Sequence, residues 1–109
     1  MDKILYEMHA EICKIFTSPK RLEIIDLLQN QEKSVSELIT ATGLSQSNIS
    51  QHLGILREKG VIAARREGNT TYYRIANPKI LEACRLMREV LLENLEEGKR
   101  LATTIERRQ

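Results

Sequence analysis

Cysteine is scarce and poorly placed for a covalent framework. The 109-residue chain has two, Cys13 and Cys84, far apart and within helical patterns, which excludes the dense disulfide lattice of a small secreted domain and makes reduced thiols the default. No apolar run approaches the roughly 20 residues that cross a bilayer, and the opening MDKILYEMHAEICK interleaves charge with apolar residues where a signal peptide would carry an unbroken core. A cytoplasmic protein without a membrane partner is expected. Charge of one sign is also lacking overall, the net being only +2. There is no glycine-rich phosphate loop, no close pair of acids in a pocket-forming context, and no cysteine with an evident base beyond His9. Enzyme chemistry therefore has no visible seat, and no cofactor is expected. At this length one small domain, residues 1–109, buries roughly two-thirds of its unfolded surface, and a second core is not expected.

What is present is an ordered series of helix and turn signals. Ile4, Leu5, Met8, Ile12, Ile15 and Phe16 recur at three- and four-residue steps, which predicts a helix ending near Thr17. Ser18 caps a second helix with Pro19 in its first turn, and Leu22, Ile24, Ile25, Leu27 and Leu28 form its buried stripe. Ser34 with Glu37 makes a capping box for a third, whose Val35, Leu38 and Ile39 face inward and which Gly43 closes. Ser45 caps a fourth, and Gly60 stops it. Val61, Ile62 and Ala63 then begin a two-stranded ribbon. Its tip is Glu67–Thr70, where Gly68 and Asn69 tolerate left-handed backbone, and its return strand puts Tyr73 and Ile75 on one face and Tyr72 and Arg74 on the other. Asn77 and Pro78 open a last helix toward Thr104. The expected fold is mostly α, five helices with one β-hairpin.

The fourth helix carries the chemistry. Ile49, Leu53 and Leu56 fall at i, i+4, i+7 and point into the core, so Gln46, Ser47, Ser50, Gln51 and Gly54 point away. That face is polar yet nearly uncharged. Short hydroxyls and amides approach base edges without being drawn to the nearest phosphate, and Gln pairs with adenine through N6 and N7. Asn48 and His52 flank the face, toward a DNA backbone; a half-exposed His52 with no special role is an equal reading. Residues 45–76 hold five basic side chains against two acidic, whereas residues 1–44 hold five against seven. Positive charge thus gathers on the reading segment. Arg65, Arg66, Asn69 and Thr70 are candidate phosphate or minor-groove contacts on the hairpin, with a solubilising charged edge as the alternative. A helix pair followed directly by this hairpin suits a winged helix-turn-helix that binds a double-stranded DNA operator. A winged-helix protein-interaction module is the competing reading.

Along the last helix Ile80, Leu81, Cys84, Met87, Val90, Leu91, Leu95, Leu101 and Ile105 form a seam that, over roughly 28 residues, is about 42 Å long. A domain this small does not cover it alone. A homodimer through the first and last helices is expected, presenting two recognition helices about 34 Å apart; one helix folding back within a monomer is the alternative.

The chain resembles the ArsR family of winged-helix repressors over nearly its whole length. SPKRLEIIDLL resembles the family's second helix, LSQSNISQHLGILREKGVI its recognition helix and following strand, and REGNTTYYRI its wing. The SQxxxSxHLxxLRxxGL-type run is matched apart from Val61 in the last place. The resemblance implies a homodimer that occupies an operator and releases it when an inducer binds. It does not name the inducer. At the positions of the arsenic-type cysteines stand Ser34, Ser36 and Ile39, which are poor or impossible ligands for a soft metal. The zinc-type site of the last helix needs histidines, and none follows His52.

Three readings of the thiols stay open: buried apolar filler, a redox or sulfur-bridged switch between Cys13 and Cys84, and an under-coordinated soft-metal or arsenical site from His9, Cys13 and Cys84. The switch resembles the sulfur-responsive branch of the family. It requires Cα atoms within about 7 Å and would pull the first and last helices together, changing the separation of the reading heads.

Overall fold

The structure is a computed structural model describing residues 2–108. Among the described residues five helices and three strands run α1 (Lys3–Ile15), α2 (Pro19–Leu27), β1 (Lys33–Ser34), α3 (Val35–Thr42), α4 (Gln46–Glu58), β2 (Ile62–Glu67), β3 (Thr70–Ile75) and α5 (Pro78–Arg108). They form two compact units, one up to Pro78 and one from Lys79 onward.

In the first unit each helix starts on a side chain that satisfies its orphan N–H groups. The Asp2 carboxylate accepts from Ile4 N–H at 2.9 Å, Ser18 Oγ from Arg21 N–H at 3.3 Å, and Ser45 Oγ from Asn48 N–H at 3.1 Å. Arg21 also reaches back to the end of α1, donating Nε to Ile15 O at 2.9 Å and Nη2 to Lys14 O at 3.2 Å. Ile15 O thereby gains a partner, Lys14 O adds one to the bonds it accepts from Thr17, and α1 is joined to α2.

Gly43 (φ 73°) and Gly60 (φ 75°) end α3 and α4 in the left-handed region, as their positions in the sequence predict. After Gly60 the chain enters the core at once, Val61 N–H bonding Leu56 O at 2.9 Å. The core is built from Ile24, Ile25 and Leu28 of the α2 segment, Leu38 of α3, Ile49, Leu53 and Leu56 of α4, and Val61 and Ile62, with Ile15 from α1. Each such side chain contributes about 1.5–3 kcal/mol by leaving water, so truncating Leu53 to Ala costs about 2–5 kcal/mol.

Two expectations are corrected. The sheet has three strands, in the order β1-β3-β2, because Lys33 and Ser34 pair antiparallel with Tyr73 and Tyr72. Two residues are too few to show a period of two, so this strand left no pattern to read. At the hairpin tip Glu67 pairs with Thr70, and of the two loop residues only Gly68 has positive φ (61°). Glycine alone in the first loop position is the type II′ arrangement, and Asn69 does not need left-handed backbone.

In the second unit α5 runs four residues past the expected end near Thr104, to Arg108, and its 31 residues are about 46 Å long. Arg85 bonds Glu82 and Glu89 one turn away on either side, pairs that favour a helix standing in water. Met87, Val90, Leu91, Leu95, Leu101 and Ile105 are exposed, as are Leu86 and Leu92 outside the expected seam. Among the described residues no helix is long and apolar enough to cross a membrane.

Candidate nucleic-acid interface

Helix α4 is amphipathic in an unusual sense. Ile49 and Leu56 are fully buried and Leu53 is 2% exposed, while Gln46, Ser47, Asn48, Ser50, Gln51 and Gly54 are all exposed. At 100° per residue Ser47, Gln51 and Gly54 lie on the side away from the core, with Ser50 at their margin and Gln46 exposed in the first turn. The first turn carries no acidic residue, so the positive end of the helix dipole is uncompensated and favours a nearby anion. A Cβ added at Gly54 would meet no atom of the chain within 4 Å. Nothing inside the protein requires that glycine.

His52 sits at the edge of this face, half-buried. Its Nδ1 is enclosed without a hydrogen-bond partner. Burial, and then the charges of Arg21 and Lys20 on α2, hold the imidazole below its ordinary pKa, so it is neutral near pH 7.

The wing divides its two adjacent cations. Arg66 is exposed and donates Nε to Gly68 O at 3.2 Å, bracing the turn, with Asn69 and Thr70 exposed beside it. Arg65 is already engaged. Its Nε lies 2.8 Å from Glu32 Oε2, its Nη2 contacts Glu32 Oε1, and its Nη1 lies 2.8 Å from Glu67 Oε2. The hydrogen bond from Arg65 holds the Glu32 carboxyl below the usual carboxylate range. Glu32 lies 33 residues away from Arg65, just before strand β1, and no sequence signal marked it.

Cys13 is exposed on α1, His9 is exposed one turn before it, and Cys84 is half-buried on α5; no disulfide joins the two cysteines. Among the described residues no three His, Cys, Asp or Glu side chains stand together as a metal-holding group.

Residues 18–64 match the family described as bacterial regulatory protein, arsR family. The HTH-type transcriptional regulator Rv0081 of Mycobacterium tuberculosis is 47% identical over 88 residues, which are 80% of this chain and 77% of that protein. Its crystal structure superimposes with a TM-score of 0.82 over 88% of this chain and 97% of that one. The homodimeric winged helix-turn-helix DNA-binding domain Mb0332 of Mycobacterium bovis, at 36% identity, gives a TM-score of 0.78 over 86% and 87% of the two chains. The transcriptional repressor BigR of Xylella fastidiosa, at 30% identity, gives 0.70 over 83% and 96%.

Proposed function

The chain belongs to the ArsR family of bacterial regulatory proteins and is a DNA-binding transcriptional regulator, and we propose that it works as a homodimeric repressor whose two α4 helices read successive major grooves of one operator. The observation that carries this is the exposed, uncharged face of Gln46, Ser47, Ser50 and Gln51, set opposite three buried anchors. Amide and hydroxyl groups there hydrogen-bond base edges, while Asn48 and His52 at the margin, with Arg66, Asn69 and Thr70 on the wing, meet the backbone or the minor groove. Arg65 belongs to the same surface, with its guanidinium already held by carboxylates.

Two features support the dimer. On α1, Ile4, Leu5, Tyr6 and Met8 are exposed, and so is the apolar row of α5, more apolar surface than a small chain leaves in water without an interaction site. A two-fold pair would place the α4 copies about 34 Å apart, one turn of duplex. Release from the operator is assigned to inducer chemistry at the thiols of Cys13 and Cys84.

Selection from random duplexes, followed by salt titration, tests the reading. A specific regulator recovers a two-fold operator, keeps it in excess random DNA, and loses affinity with a log-log slope near −0.9 per phosphate neutralised. Leu95→Lys is expected to turn the dimer into a monomer, as read by sedimentation, and to weaken operator binding. Recovery of no preferred duplex would favour a protein-interaction module instead.

A further inference from the structure

Arg65 stands at a structural boundary. On the register of the sheet it lies opposite Tyr72, and Tyr72 lies opposite Ser34, so Ser34, Tyr72 and Arg65 form the last row in which three strands are side by side. Beyond it the pairs Thr71–Arg66 and Thr70–Glu67 make a ribbon of only two strands, an arrangement with little stability of its own. Ser34 is also the N-cap of α3. Whatever fixes this row fixes the angle at which the wing leaves the helix pair.

The Arg65 side chain spans the row. Its guanidinium lies 4.8 Å from the centroid of the Tyr72 ring, grips Glu32 in the loop before β1 through Nε and Nη2, and holds Glu67 at the far end of β2 through Nη1. All three nitrogens are therefore committed to carboxylates. Two acids surround this cation, and Arg74 also acts on Glu32, so the charge of Arg65 is already compensated and its donors are not free for a phosphate. Arg66, the next residue and on the opposite face of the strand, braces the turn on a neutral carbonyl.

We propose that Arg65 is a positioning residue for DNA binding, held by Glu32 so that the clamp sets the pitch of the wing and thereby where Arg66, Asn69 and Thr70 meet the duplex. The inference rests on the regulator reading of α4 and the wing. It departs from the expectation that both arginines serve as phosphate contacts.

Operator binding by fluorescence anisotropy across a salt series tests it, with Glu32→Gln, Arg65→Gln, Arg65→Lys, the Glu32→Gln Arg65→Gln double variant and Arg66→Gln compared with the wild type. Each single change at Glu32 or Arg65 is expected to weaken operator binding several-fold with the salt slope unchanged. The double variant is expected to be no worse than either single one, because both remove the same ion pair. Arg65→Lys is expected not to rescue, since an ammonium cannot form the two-pronged grip. Arg66→Gln is expected to flatten the slope by about 0.9 for each phosphate that the side chain had neutralised.

A readout without DNA accompanies these. The ¹⁵N resonance of the Arg65 side-chain Nε is expected to be distinct and slowly exchanging in the wild type and to vanish in Glu32→Gln, together with faster motion at Gly68 and Asn69 and an unchanged core spectrum. Tighter operator binding by Glu32→Gln, or a flattened slope in Arg65→Gln, would show Arg65 to be a phosphate ligand and overturn the clamp alone. A wild-type protein with no operator preference overturns the regulator reading beneath it.

Discussion

Ser34 and Glu37 bond each other in both directions across one turn: Ser34 N–H donates to Glu37 Oε1 at 3.1 Å, and Glu37 N–H donates to Ser34 Oγ at 3.2 Å. Because Ser34 is at once the end of β1 and the cap of α3, this pair joins the sheet to the helix that supports α4. Ser34 is 8% exposed, so water does not replace a missing cap. Ser34→Ala is expected to cost about 1 kcal/mol, read as a fall in Tm of roughly 4–8 °C for a domain near this size. Ser36→Ala, at an exposed position on the same helix, is the control and should not lower Tm.

Gln51 and Arg66 should separate base reading from backbone holding. Gln51→Ala is expected to lose discrimination at one operator position, by about 1–3 kcal/mol, with the salt slope unchanged. Arg66→Gln is expected to weaken all sequences alike and to flatten the slope. Uniform weakening by Gln51→Ala, measured over a panel of single-base operator variants, would remove Gln51 from the reading set.

Helices α2, α3 and α4 were legible because chemistry marks their ends: Ser18 with Pro19, Ser34 with Glu37, Gly43, Ser45 and Gly60 all stand where the caps and stops are found. The outward face of α4 followed from the spacing of Ile49, Leu53 and Leu56. Strand β1 was illegible because Lys33 and Ser34 gain their extended form from pairing with β3, a tertiary event with no local pattern. The Glu32–Arg65 ion pair was hidden for the same reason, since it exists only once β1 delivers Glu32 to the wing. Exposed Ile4, Leu5 and Met8 show the opposite case: the periodic row on α1 is real, yet periodicity does not say whether the chain's own core covers it.

Gly54 predicts a split between stability and binding. It lies in the interior of α4 with open space where a Cβ would go, so Gly54→Ala is expected to raise stability by about 0.5–1 kcal/mol. The added methyl also projects from the face proposed to meet DNA, and operator affinity is expected to fall while Tm rises. A rise in both would show that the duplex does not approach this turn closely.

His52 gives the fold a pH dependence of defined sign. Its pKa in the folded state lies below the ordinary value of 6.5, first through burial and then through Arg21 and Lys20. As pH falls the unfolded chain takes up the proton first, so stability is full above about 6.5 and declines as pH drops toward the lower folded value. The carboxylates of Glu32 and Glu37, whose pKa values are depressed from 4.5 by bonds from Arg65 and Ser34, contribute stability that disappears only at lower pH. Urea unfolding between pH 7.5 and 5 is expected to show a fall in stability that His52→Gln abolishes. An unchanged slope in that variant would mean that His52 is solvated in the folded state.

The two thiols differ in access, and that difference makes their proposed role testable. Cys13 is exposed and Cys84 half-buried, so an alkylating reagent is expected to modify Cys13 first. Under peroxide or polysulfide, both cysteine-bearing peptides are expected to change mass, and operator affinity to fall within the about 5- to 150-fold range typical of coupled sites. Reductant should restore it, and the Cys13→Ser Cys84→Ser variant should bind operator as the untreated wild type does, with or without oxidant. A hydroxyl in place of each thiol keeps the size of the group while removing its sulfur chemistry, so retained sensitivity in that variant would move the inducer site elsewhere. Modification of both thiols without any change in affinity would leave Cys13 as a surface thiol and Cys84 as a half-buried one, neither with a part in release.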